Sequence, residues 1–150
     1  MSRAFGKHRR ILLDTSIWIY HFEGHPEFGP AATSLVTSME RGGFVGLLSE
    51  LSLMELTVRP LQRGRQDVAD EYELLLGAFP NLELLPATRD VLLEAATVRA
   101  RYRLRTPDAL LLATGLLGGA TAAATNDSGW KAVEGLEIFL LGDLAATHGG

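Results

Sequence analysis

Five apolar runs of strand length alternate with stretches of helical periodicity along this chain, which limits the folds it can adopt. The predicted strands are Arg10 to Leu13, Gly43 to Leu47, Leu82 to Leu85, Thr121 to Thr125 and Leu136 to Leu141. Helices are predicted near Thr15 to Phe22, Pro30 to Arg41, Glu50 to Pro60, Gln66 to Phe79, Arg89 to Arg103 and Pro107 to Leu117. We therefore expect an α/β fold, a three-layer sandwich whose central sheet of about five strands is mostly parallel.

The composition suits one domain over residues 1–150, because 47% of the 150 residues are hydrophobic and only 21% are charged. The chain has no cysteine, which excludes disulfides, thiol catalysis and cysteine-bound zinc and favours a cytoplasmic location. No segment has the length and apolarity that predict a membrane span. No element is predicted after Leu141, and the terminal Thr147–Gly150 is expected to fray.

Four acids occupy positions where the surrounding sequence is otherwise apolar. Asp14 directly follows the first predicted strand and Asp127 follows the fourth, so both belong at the edge of a parallel sheet where ligands gather. Glu55 borders the apolar face of its helix, and Asp108 begins a helix that is apolar nearly all round. Unpaired burial of such charges costs several kcal/mol or more, so a shared partner is needed. A hard divalent cation, Mg²⁺ or Mn²⁺, is the natural one, because these ions prefer carboxylate oxygens.

Each acid also has an ordinary structural explanation. Asp14 suits the N-cap of the following helix, and Asp127 suits a turn. Asp108 follows Thr106–Pro107, a good N-cap and N1 pair, so it would interact with the helix dipole. A solvated position is the ordinary explanation for Glu55. Four separate explanations must then hold at once, whereas a single metal site accounts for all four acids.

Four segments, in this order, resemble the successive motifs of PIN-domain ribonucleases, particularly the short VapC-type toxins of toxin–antitoxin pairs: LLDTSIWIY, LSLMEL, TPDALLLATGLLGGA and ATNDSGW. The likeness covers nearly the whole chain. It implies an endoribonuclease that depends on Mg²⁺ or Mn²⁺, acts on RNA and has a cognate antitoxin. It also implies that either Thr15 or Ser16, and either Thr125 or Asn126, orients metal, water or phosphate. Trp130 stands where the family usually has Phe, an exchange of aromatic rings that preserves packing.

Hydrolysis of a phosphodiester needs a more acidic water, a cation for the charged transition state and stabilisation of the departing oxygen. Asp14 and Asp108 are the predicted main metal ligands, and Asp127 is predicted to hold a second ion or its water shell. Glu55 is predicted to orient or deprotonate the water. An antitoxin could restrain the enzyme by placing an Arg or Lys among the carboxylates.

Two other functions remain open at this point. A non-enzymatic α/β interaction module is possible, because the Leu- and Val-rich helices Pro30 to Met39 and Leu47 to Val58 could serve a homodimer or a partner's helix. An aspartate-based phosphotransferase would also place an acid after the first strand. Against it, ILLDTS lacks the second nearby acid that such sites usually have.

Overall fold

The computed structural model describes residues 5–149, with side chains described for residues 5–145. Its sheet has five strands: β1 (Arg10–Leu13), β2 (Val45–Ser49), β3 (Leu82–Leu85), β4 (Ala122–Thr125) and β5 (Glu137–Leu140). Neighbouring strands are all parallel, in the order β3-β2-β1-β4-β5. The α/β prediction is confirmed, and the sheet is wholly rather than mostly parallel.

Seven helices occur in the described residues: α1 (Thr15–Glu23), α2 (Gly29–Glu40), α3 (Leu51–Gln62), α4 (Gln66–Ala78), α5 (Arg89–Tyr102), α6 (Thr106–Leu117) and α7 (Leu141–Gly149). A short 3₁₀ helix, Ser128–Ala132, follows β4. The first six helices begin and end within two residues of their predicted limits. Helix α7 was not predicted, and it extends to Gly149, into the terminal segment that was expected to fray; Gly150 lies outside the described residues.

The two faces of the sheet carry separate hydrophobic cores. In β1, Ile11 and Leu13 pack with α1 and α2, whereas Leu12 points the other way and packs with α5 and α6. This alternation follows from the two-residue repeat of a strand, which sends neighbouring side chains to opposite faces. Because both faces are covered, β1 is a continuous apolar run and all three of these side chains are fully buried. The three-layer arrangement is therefore the one that was predicted.

Strand β2 begins two residues later than the predicted Gly43. Gly43 instead closes the turn after α2, where its N–H donates to the carbonyl of Ser38 at 2.8 Å. A Cβ at this position would lie 2.6 Å from Ser38 Oγ and 2.9 Å from the Ser38 carbonyl oxygen, so only glycine fits. The strand continues to Ser49, which pairs with Leu85 of β3.

The strand order reverses between β1 and β4, because β2 and β3 extend the sheet to one side and β4 and β5 extend it to the other. The carboxyl ends of β1 and β4 therefore border the crevice in which parallel sheets bind ligands. At that crevice the N–H of Asp14 donates to the carbonyl of Ala124 at 3.0 Å. Among the helices described, none combines the length and the apolar character that crossing a membrane requires.

Candidate active site

Asp14 lies at the junction of β1 and α1, in the N-cap position of the helix. Its side chain does not cap the helix, since it accepts no hydrogen bond from the first turn of the backbone. Instead Asp14 Oδ2 accepts hydrogen bonds from Thr125 Oγ1 at 2.6 Å and Ser16 Oγ at 3.1 Å. The residue is only 8% exposed. The ordinary explanation of Asp14 as a helix cap therefore does not describe its side chain.

Burial makes Asp14 an unusually weak acid. Desolvation raises its pKa to about 6, and the hydrogen bonds from Thr125 and Ser16 act in the opposite direction. The negative charges of Asp108 and Glu55 raise the pKa of Asp14 further, so both carboxylates lie near enough to act on it. Asp14 is thus held where a nearby positive charge would be strongly favourable.

Glu55 accepts a hydrogen bond from the Thr15 hydroxyl, which in turn contacts the Ser52 hydroxyl. Thr15 Oγ1 donates to Glu55 Oε1 at 2.7 Å and lies 2.6 Å from the buried Ser52 Oγ. Because Thr15 has a single hydroxyl proton and gives it to Glu55, Ser52 is the donor in the second contact. Ser52 was not singled out from the sequence, although a serine one helical turn before Glu55 on the buried side of α3 was a usable signal.

Asp108 lies in the first turn of α6 and is 8% exposed. The helix begins at Thr106 with Arg105 in the N-cap position, so the prediction that Thr106 is the N-cap is wrong by one residue. Arg105 Nε donates to Asp108 Oδ2 at 3.3 Å, while 79% of the arginine side chain stays exposed. A pair this exposed on one side contributes little stability and can exchange for another partner.

Asp127 differs from the other acids because it is exposed. Its Oδ1 accepts the N–H of Gly129 at 2.9 Å and caps the 3₁₀ helix, as the turn explanation anticipated. The expectation of costly burial is therefore wrong for Asp127, because the residue lies on the loop beyond the last residue of β4. Thr125 links it to Asp14, since the Thr125 hydroxyl accepts the Asp127 N–H at 3.1 Å and donates to Asp14.

All four acids line one open pocket at the carboxyl edge of the sheet. The other residues that line it are Thr15, Ser16, Ile19, Tyr20, Arg105, Leu111 and Asn126. Of the predicted orienting residues, Thr15, Ser16 and Asn126 line the pocket, and the fully buried Thr125 lies beneath it. Tyr20, Ile19 and Leu111 were not predicted to belong to the site. In the sequence, an aromatic or aliphatic residue that lines a pocket cannot be distinguished from one that packs in the core.

The pocket offers the right donor atoms for Mg²⁺ or Mn²⁺, which bind carboxylate oxygen. Within the described part of the chain, however, no three acidic or histidine side chains form a compact cage. The predicted ligands Asp14, Asp108 and Asp127 thus share a pocket without forming such a cage, since Asp127 is turned to its own loop. Mg²⁺ commonly binds through one or two carboxylates and keeps several waters, so a pair such as Asp14 and Asp108 suits it.

Fold and site together define an α/β protein with an acidic pocket at the switch point of a parallel sheet. The PIN domain family matches residues 11–136, and this chain belongs to that family. The resemblance found in the sequence motifs is thereby confirmed. No curated protein sequence matched the chain.

Several solved structures share the fold over most of the chain. A toxin–antitoxin complex from Klebsiella pneumoniae aligns with a TM-score of 0.66 at 20% identity, covering 84% of this chain and 94% of that one. VapBC2 from Rickettsia felis, bound to a DNA fragment from its promoter, aligns with a TM-score of 0.69 at 15% identity, covering 87% of this chain and 98% of that one. FitAcB from Neisseria gonorrhoeae aligns with a TM-score of 0.66 at 19% identity, covering 87% of this chain and 97% of that one. At these identities the similarity establishes a common fold.

Proposed function

We propose that this protein is an endoribonuclease that depends on Mg²⁺ or Mn²⁺ and is the toxin of a toxin–antitoxin pair. The observation that carries the proposal is the pocket shared by Asp14, Glu55, Asp108 and Asp127 at the switch point of the sheet. Membership of the PIN family supports nuclease chemistry. The likeness to toxin–antitoxin complexes supports the biological role.

In this proposal Asp14 and Asp108 hold the metal ion, and Asp127 holds a second ion or part of the hydration shell. When bound, the ion neutralises charge on the phosphate and makes a water molecule more acidic. Thr125 and Ser16 donate to Asp14 Oδ2 and so fix the orientation of that carboxylate. Arg105, the one basic residue among those lining the pocket, is placed to contact a phosphate of the RNA.

Glu55 accepts the proton of the attacking water. Its Oε1 already accepts the Thr15 hydroxyl, so Oε2 is the atom available for that proton. The water oxygen forms a bond to phosphorus, the bond from phosphorus to the 3′ oxygen breaks, and the departing oxygen takes a proton from solvent water. The products are a 5′-phosphate and a 3′-hydroxyl.

Two charge-removing substitutions, one on helix α3 and one at its N-cap, test this assignment with mixed RNA and Mg²⁺. Glu55→Gln keeps an oxygen for the Thr15 hydrogen bond but loses the proton acceptor, so cleavage should fall by at least about 100-fold. Glu50→Gln is the matched control, because Glu50 is exposed and lies about 140° around the helix from Glu55. Equal losses in both variants, or full activity in excess EDTA, would contradict the proposed chemistry.

A groove next to the acidic pocket supports the antitoxin part of the proposal. It runs between α1, α3 and α4, and its walls include Ile19, Phe22, Leu56, Pro60 and Tyr72. Ile19 and Glu55 line both the groove and the acidic pocket, so a bound segment can continue from one to the other. We propose that the tail of an antitoxin covers this groove and places a basic side chain beside Asp14, Glu55 and Asp108.

Expression in a growing culture tests the toxin role. The wild-type protein should slow growth, Asp14→Asn should not, and co-expression of the adjacent small open reading frame should restore growth and yield a complex. Harmless expression of an active enzyme would favour a housekeeping nuclease. Harmless expression without nuclease activity would favour the non-enzymatic interaction module.

A homodimer is also proposed. Helix α2 is not the surface for it, because Leu35, Val36 and Met39 are fully buried in the core. Helix α3 is a better candidate, since Met54, Val58 and Leu61 form an exposed apolar stripe along one side. Light scattering of the wild type and of Met54→Lys should show a dimer that the substitution dissociates.

A further inference from the structure

Three aromatic side chains lie side by side where α1 ends, next to the acidic pocket. The ring centroids of Tyr20 and His25 are 4.9 Å apart, and those of Tyr20 and Phe28 are 5.2 Å apart. His25 and Phe28 are stacked at 5.2 Å with an interplanar angle of 24°. All three residues are half-buried, so part of the surface of each stays accessible. We propose that this aromatic platform binds one nucleobase of single-stranded RNA beside the cleaved phosphate, an inference that rests on the proposed ribonuclease function.

The aromatic platform connects two depressions of the surface. Tyr20 is part of the wall of the acidic pocket, together with Asp14 and Asp108. His25 belongs to the neighbouring open depression, whose other walls include Pro26 and Pro30. An RNA strand with a phosphate at the carboxylates therefore meets Tyr20 and His25 as it leaves the pocket on this side.

Tyr20 has a hydroxyl proton to offer to such a base. The N–H of Gly142 donates to Asn126 at 3.2 Å, so the atom that it meets is the amide oxygen. The amide nitrogen of Asn126 then faces Tyr20 and donates to its hydroxyl oxygen at 3.3 Å. The Tyr20 hydroxyl acts as an acceptor there, and no described residue accepts its proton.

His25 offers a second donor. Its Nδ1 accepts the N–H groups of Glu27 and Phe28, each at 3.1 Å, so the neutral ring carries its proton on Nε2. Nε2 has no hydrogen-bond partner among the described residues. Two donors beside partly accessible aromatic residues suit a nucleobase, which has a flat π surface and acceptor atoms along its edge.

A substitution that keeps the local turn but removes the ring separates binding from folding. In His25→Asn, the side-chain oxygen can accept the N–H groups of the turn in place of Nδ1. His21→Asn is the matched control. His21, in the last turn of α1, is half-buried like His25, but its ring contacts Trp18 and Phe79, and its Nδ1 contacts Thr33 Oγ1 at 2.9 Å.

The experiment is a double-mutant cycle between protein and RNA, made in the Glu55→Gln background with Mg²⁺ so that the RNA stays intact. Dissociation constants are measured by fluorescence anisotropy for a pentaribonucleotide and for versions with an abasic ribose at each position in turn. At one position the abasic change should weaken binding by about 5- to 150-fold. In His25→Asn the intact RNA should bind more weakly, and the same abasic change should have little further effect. His21→Asn should behave like the parent.

The proposal that the aromatic platform binds a base is overturned if no abasic position weakens binding. It is also overturned if the abasic change weakens binding equally with and without the His25 ring. Those results would leave the nuclease proposal intact, provided that the wild type still cleaves RNA. Conversely, coupling between His25 and one base in a protein that cleaves no RNA would support the base site and contradict the ribonuclease function.

Discussion

At the scale of single residues, hydroxyl groups rather than cations hold Asp14 and Glu55, whereas Asp108 is paired with Arg105. Thr125 and Ser16 donate to Asp14, and Thr15 donates to Glu55. Hydrogen bonds from neutral donors orient a carboxylate but compensate its buried charge only in part. Asp14 consequently keeps a raised pKa and destabilises the folded protein whenever it is ionised.

This predicts a particular pH dependence of stability in metal-free protein. The pKa of Asp14 rises from 3.8 to about 6 on folding, so the stabilising effect of its neutral form is complete below pH 3.8. That effect is lost as the pH rises through about 6. Relative to Asp14→Asn, which does not titrate, the wild type should therefore lose roughly 2 kcal/mol of unfolding free energy between pH 4 and pH 7.

Urea unfolding of the two proteins in EDTA at several pH values provides the measurement. Asn retains a side-chain oxygen that can accept the Thr125 hydroxyl, so the comparison isolates the charge. A difference in stability that stays constant from pH 4 to pH 7 would show that Asp14 titrates normally in the folded protein.

At the scale of the elements, close approach of α6 to β1 fixes where the Asp108 end of the helix lies. Gly115 of α6 packs on Leu12 of β1, and a Cβ at Gly115 would lie 2.8 Å from Leu12 Cδ2 and 3.0 Å from Leu12 Cβ. A side chain at this position would push the helix from the sheet. Asp108, two helical turns earlier, would then move relative to Asp14.

Gly115→Ala should accordingly lower the unfolding free energy by about 1–3 kcal/mol, because the added methyl group overpacks a filled core. Gly77→Ala is a matched change in another helix, α4, where a Cβ would have no atom within 4 Å. That variant should be more stable by about 0.5–1 kcal/mol, because alanine has the higher helix propensity. Urea unfolding of both variants tests the contact, and equal effects would contradict it.

At the scale of the whole molecule, the strand order places acids from distant parts of the sequence around one crevice. Asp14 and Asp127 follow the two strands that border the switch point, and Asp108 begins a helix that packs against β1 and β2. The repulsion of Asp14 by Asp108 and Glu55 is a property of the folded state only. A cation that binds them should therefore stabilise the fold by mass action.

Millimolar Mg²⁺ or Mn²⁺ should raise the melting temperature. A concentration ten times the dissociation constant contributes about 1.4 kcal/mol, or about 3–6 °C for a chain of this size. Asp14→Asn combined with Asp108→Asn should lose the response and be at least as stable without metal. Calorimetry with the exposed pair Asp70→Asn and Asp90→Asn as control provides the test. A wild type that does not respond at any concentration would weaken the shared-cation explanation.

The sequence alone predicted the elements whose signals are local. Ile11, Leu12 and Leu13 form an apolar run of strand length, and the periodicity after Thr15 is helical, so β1 and α1 were found at their true positions. The positions of Asp14 and Asp127 directly after predicted strands were enough to place both at one edge of the sheet, because parallel strands end on the same side.

Tertiary structure decided the features that depend on contacts between distant residues. Helix α7 has weak local signals, and its formation relies on Leu141, which is fully buried against the core. The hydrogen bonds that link Ser52, Thr15 and Glu55 join helices α3 and α1, so they cannot be deduced from the sequence of either helix alone. The exposure of Asp127 likewise depends on how its loop leaves the sheet. Periodicity specifies which face of an element is buried, whereas the identity of the neighbours is fixed only when the layers pack together.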